Sequence, residues 1–156
     1  MNRAWVGRNL QVTNNHAMGD VVTQIPINWW MVIIAALLRM VVGSVWYSPA
    51  AFVKPWQRLA GITPETMQQG LPRAIVIDLV MSLIMSFVLY HAVVYAGANS
   101  WWAGGLVGLL SWLGFVLATH LPLWAYENRN LQLIAIGVGS NLVSMVLMGV
   151  LFGLWH

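Results

Sequence analysis

An all-α, integral membrane bundle of four helices in up-down order is the fold class this sequence predicts, and three observations carry the prediction. The residues are 60% hydrophobic and only 7% charged, where a soluble domain carries roughly 25% charged residues. Four apolar runs, about 27–48, 72–95, 101–124 and 131–155, are each long enough at ~1.5 Å per residue to cross a ~30 Å hydrocarbon core. Most of the 10 Trp and 4 Tyr gather at the ends of these runs. Such rings settle at the headgroup level, where the ring is sheltered and its polar atom stays wet.

Residues 1–26 differ in kind. They are polar, lack the apolar stretch of a signal peptide, and read as a disordered tail. Met18 opens MGDVVTQIPINWW and is the expected initiator; a native protein whose intact mass begins at Met1 would contradict that. The first span, 27–48, has Trp29 and Trp30 at one end and Trp46 and Tyr47 at the other, with Arg39 inside. Pro49 ends it, because proline lacks the N–H donor and disfavours helix at the preceding residue. In the loop 49–71, AAFVKPWQRLAG mixes basic and aromatic residues and is expected to lie in the interface. Thr63, Pro64 and Thr66 then predict a short capped helix with proline in its first turn.

The second span runs over 72–95 and ends in the uncharged turn 96–100. The third, 101–124, opens on Trp101 and Trp102 and holds Pro122 near its end. A polar turn at 126–130 leads to the fourth span, 131–155. Lys54, Arg58, Arg73 and Arg129 all flank the first and third connections, whereas the other side has only Arg3 and Arg8, far out on the tail. Basic residues stay cytoplasmic, so both termini are expected outside, in a multi-pass protein of the cell's inner (plasma) membrane.

Composition excludes several functions. The net charge of +3 comes from scattered residues, so no nucleic-acid patch forms. There is no cysteine, hence no disulfide and no thiolate metal site. The nine Met residues read as flexible packing. No nucleophile elbow, phosphate loop or zinc motif is present. His91 and His120 fall at opposite depths and cannot share a haem or metal, so no cofactor is expected, and catalysis lacks support.

Ionisable groups inside a membrane cost several kcal/mol unless paired. Arg39 lies about nine residues from the cytoplasmic end of its span and Asp78 about six from the same end of the next, so their depths match and a salt bridge follows. The pair either fixes helix register, the commoner case, or serves an ion pathway. Asp78, Ser82 and Ser86 recur at i, i+4, i+8 and make one polar face, a path lining or a hydrogen-bonded seam. Arg39, Asp78, His120 and Asn141 form the candidate intramembrane polar cluster. Gly104 with Gly108, and Gly149 with Gly153, predict that the third and fourth spans pack tightest.

Certain residues carry a resemblance. Asn28-Trp29, the run Gly43-Ser44-Val45-Trp46-Tyr47-Ser48-Pro49, Phe52 and Lys54-Pro55-Trp56 resemble the first helix and loop of the small bacterial membrane proteins known as domain of unknown function 1761. Gly104 through Phe115, Tyr126-Glu127-Asn128-Arg129 with Leu131, and Met148-Gly149 through Trp155 are similar to its later segments. The resemblance spans about 27–155 and implies four helices in one compact domain, with no activity attached. The family more often has an apolar residue near Arg39, and it begins close to the Asn-Trp pair, which agrees with a start at Met18. Trp46, Tyr47, Glu127 and Arg129 would gather at the cytoplasmic face, where Glu127 and Arg129 could clamp the first loop or hold a lipid headgroup.

Two functional expectations lead, well ahead of a membrane enzyme, for which the residues offer only His120 and Asp78. One is a small oligomeric transport- or channel-related protein using the polar seam. The alternative is a non-catalytic accessory or structural subunit of a larger membrane complex. Both place the chain in the lipid bilayer, as a homo-oligomer or with a membrane-protein partner.

Overall fold

The computed structural model describes residues 26–155. Except for Pro26, the expected disordered tail lies outside them, as do the start at Met18, Arg3, Arg8, His16 and His156. All regular secondary structure in the described residues is helical, and four helices are long and apolar enough to cross a membrane.

Helix α1 is Trp29–Trp46, and the Asn28 side-chain oxygen caps it by accepting from the Met31 N–H. The short α2, Val53–Ala60, ends at Gly61, whose φ of +67° is the left-handed conformation that glycine adopts without strain. The segment folds back on the end of α1: Phe52 packs on Trp46, and Trp56 meets Tyr47 edge-on. Helix α3 is Pro64–Tyr95. Thr63 and Thr66 cap it reciprocally, as their spacing predicts, but the helix they start is not short. It continues through Pro72, where the span was expected to begin, and reaches 32 residues. Pro72 costs one backbone bond without breaking the helix. At ~1.5 Å per residue α3 is ~48 Å long, so its first turns project beyond a ~30 Å core.

Helix α4, Trp101–Glu127, is α-helical to Trp112, passes through a π-helical turn at Leu113–Leu117, and is α-helical again from Ala118. Pro122 has no N–H for the ladder. Side chains supply donors nearby: Thr119 Oγ1 donates to the Phe115 and Val116 carbonyls at 2.8 and 3.0 Å. The last helix, α5, is Leu131–Trp155.

Helix α5 is the hub, flanked by α1, α3 and α4, and α4 packs chiefly on it. Glycine explains why. A Cβ on Gly104 would stand 2.1 Å from the Gly149 carbonyl oxygen, and one on Gly108 2.2 Å from that of Met145. The two backbones touch, as the G-x-x-x-G spacing predicts. Across the bundle, Trp112 and Trp46 donate their indole N–H groups to the Val138 and Ile136 carbonyls of α5.

The core is lopsided. Val32, Ala35, Leu89, Tyr90, Val93, Met148 and Phe152 fill the half of the bundle opposite α2. Pro26 sits at that closed end, where its carbonyl accepts from the Tyr90 hydroxyl. Nearer α2, Ile134, Ile136 and Val138 of α5 are buried, but the space between α1, α3 and α5 is not filled.

Candidate functional site

The half nearer α2 holds a cavity of about 920 Å³ between α1, α3 and α5. Small residues open it. Gly43 on α1, Gly70 and Ala74 on α3, and Gly137 on α5 all line it. A Cβ on Gly43 or Gly70 would meet nothing within 4 Å. Met40, Leu71, Ile75, Ile77 and Met81 make the walls apolar, those on α3 being also exposed on the bundle's outside, and Trp56, Ile62 and Thr66 line the end near α2. From Thr66 to Met81 the lining spans ~22 Å of helix, at ~1.5 Å per residue. This volume lies in the range of small-molecule sites, roughly 300–1,000 Å³.

Arg39 and Asp78 form its floor. Arg39 Nη1 donates to Asp78 Oδ1 at 2.6 Å and to Ser82 Oγ at 2.6 Å. Ser82 donates in turn to the Asp78 carbonyl at 2.6 Å. The pair is unequally covered: the Arg39 side chain is 17% exposed and that of Asp78 44%. Arg39 Nε is buried with no acceptor. Among the described residues no partner is found for Nη2, for Asp78 Oδ2 or for the Tyr47 hydroxyl. Ser140 and Asn141 of α5 line the opposite wall, where Asn141 Nδ2 donates to the Gly137 carbonyl at 3.0 Å. The site thus presents both donors and acceptors within apolar walls, and its two charges sum to zero.

The structure brings together three of the four residues of the predicted intramembrane cluster. Arg39 and Asp78 are bonded, and Asn141 lines the same cavity. His120 does not join them. It is exposed on α4, away from the cavity lining, and its Nδ1 faces the Val116 carbonyl of its own helix at 2.8 Å. Ser82 and Ser86 are fully buried, and Ser86 donates to the Val32 carbonyl of α1 at 2.7 Å. Beyond Asp78 the i, i+4, i+8 stripe is therefore a seam bonding α3 to α1.

The four residues expected at the α2 end separate into two groups. Tyr47 lines the cavity, and Trp46 lies over Gly139, where a Cβ would come within 3.1 Å of the ring. Glu127 and Arg129 pair with each other at 2.7 Å within their own exposed turn rather than with the first loop. Sequence reasoning missed Gly43, Gly70, Ala74 and Ser140. Their signal was small residues on three helices near one end with no bulky residue to fill the space.

A family model described as a protein of unknown function (DUF1761) matches residues 30–153. No curated protein and no solved structure matches the chain.

Proposed function

The chain belongs to the DUF1761 family of unknown function, and on that premise we propose that it is a transport-related membrane protein that takes a small solute into its intramembrane cavity. The observation that carries this reading is the cavity itself, about 920 Å³ with the Arg39–Asp78 pair at its floor. A pair serving register alone needs no cavity beside it, and close packing normally removes such space. The cavity does not run through the bundle, because Ala35, Ala36, Val93 and Met148 pack the other half with no exposure. That geometry favours a carrier-like site, open on one side, over a continuous pore through one chain. In this reading the α2 end, with Lys54, Arg58, Arg73 and Arg129 near it, faces the cytoplasm. Copies of the chain pair in the bilayer to supply the moving interface that alternating access needs.

The test is uptake into proteoliposomes of a panel of small amphiphilic solutes. At least one should enter saturably, and Gly43→Phe, which fills the cavity, should reduce its rate about tenfold or more, roughly 1.4 kcal/mol in barrier. Asp78→Asn should do the same. Uptake indifferent to both variants would sink the proposal. A stoichiometric partner that co-purifies in mild detergent, with no uptake by the isolated chain, would favour the accessory-subunit alternative instead.

A further inference from the structure

We infer that the cavity takes an uncharged amphipathic molecule with an amide-type head, a carbonyl beside an N–H, on an apolar body. This rests on reading the cavity as a binding site and adds what chemistry it selects. Two facts of the floor decide the head group. First, its unmet groups are of both kinds and adjacent. Nη1 of Arg39 is committed to Asp78 Oδ1 and Ser82 Oγ, which leaves Nε and Nη2 as donors without an acceptor. Asp78 accepts at Oδ1, which leaves Oδ2 as an acceptor without a donor among the described residues. A planar head that accepts on one side and donates on the other answers both. Its carbonyl takes a guanidinium N–H and its N–H meets the carboxylate.

Second, the floor is already neutral. Arg39 and Asp78 cancel at 2.6 Å. A carboxylate ligand would leave a net negative charge among these apolar walls, and an ammonium ligand a net positive one. Either excess charge loses its hydration with no counter-charge to replace it. An uncharged head avoids that cost and still offers an acceptor to Arg39 Nη2; Nε is buried out of its reach. The walls of Met40, Leu71, Ile75 and Met81 suit a hydrocarbon body, and the rings of Tyr47 and Trp56 lie nearer the α2 end.

A series with one tail and different heads tests this: octanamide, octanoate and octylammonium, measured by equilibrium dialysis at neutral pH against the protein in lipid nanodiscs, with empty nanodiscs subtracted. Octanamide should bind saturably, about tenfold or more tighter than either charged member. Gly43→Phe should abolish that binding. Asp78→Asn leaves Arg39 an uncompensated cation, so the order should reverse and octanoate should bind tightest. If Asp78→Asn does not fold, the order in the unaltered protein decides alone. Octanoate or octylammonium binding as tightly as octanamide, in a manner that Gly43→Phe abolishes, would overturn the head assignment and leave the cavity a binding site. An unchanged order in a folded Asp78→Asn protein would overturn it too. No binding that Gly43→Phe removes would overturn both readings.

Discussion

Removing Asp78 strands the Arg39 guanidinium, with Ser82 as its remaining partner. Asp78→Ala should therefore destabilise the bundle by about 1–3 kcal/mol, less than for a fully buried pair because the Asp78 side chain is 44% exposed. The double variant Arg39→Met with Asp78→Leu should recover most of that loss, since apolar residues replace a buried pair at little cost. Unfolding in mixed detergent micelles reads both, and a double variant weaker than Asp78→Ala would contradict the account. The Arg39–Asp78 pair was legible in the sequence because depth along two hairpin-joined helices can be counted from their ends. His120 shows the limit of such counting. Depth alone does not say which way a side chain faces, and His120 faces outward on α4, bonded to its own helix. Arg39 Nε, the buried donor without an acceptor, depends on a rotamer and could not be read from sequence.

At the scale of elements, the glycines differ sharply in what they tolerate. Gly108→Leu should prevent α4 from docking on α5, because even a Cβ would lie 2.2 Å from the Met145 carbonyl oxygen. The expected outcome is loss of folded protein by size-exclusion chromatography. Gly114→Ala on the same helix should be neutral or stabilise by up to about 1 kcal/mol, since nothing lies within 4 Å and alanine is the better helix former. Equal damage from both would show that the backbone contact is not what holds α4. The G-x-x-x-G spacing announced this pair, and the Thr63–Thr66 cap announced the start of α3. The sequence separates the capped helix at Thr63 from the span starting at 72, but they are one helix, because Pro72 removes a single backbone bond that the turns on either side outweigh. The π-helical turn at Leu113–Leu117 left no sequence signal that stands apart from the proline and threonine beside it.

Across the whole molecule, α1, α3 and α5 pack closely in the half away from α2 and leave the cavity between them in the half nearer it. The four spans were legible from hydropathy and aromatic belts, whereas the cavity was not. It arises where Gly43, Gly70 and Gly137 fall at similar height on three helices, and that height follows from packing, not from any one stretch of chain. Gly43→Phe should leave thermal stability unchanged or raise it, because the ring enters open space. A clear loss of stability would mean that the space is not there.

The central claim is a one-sided cavity with a polar floor, and thiol accessibility tests it most directly. The sequence contains no cysteine, so single cysteines report without background. Ala74→Cys and Ser140→Cys, on the cavity wall, should react with a membrane-impermeant thiol reagent added at the α2 end and not from the opposite side. Ala36→Cys, in the packed half with 0% exposure, should stay inert from both sides, and adding Gly43→Phe should protect the two wall positions. Inert wall cysteines, or labelling of Ala36→Cys at the same rate, would contradict the account.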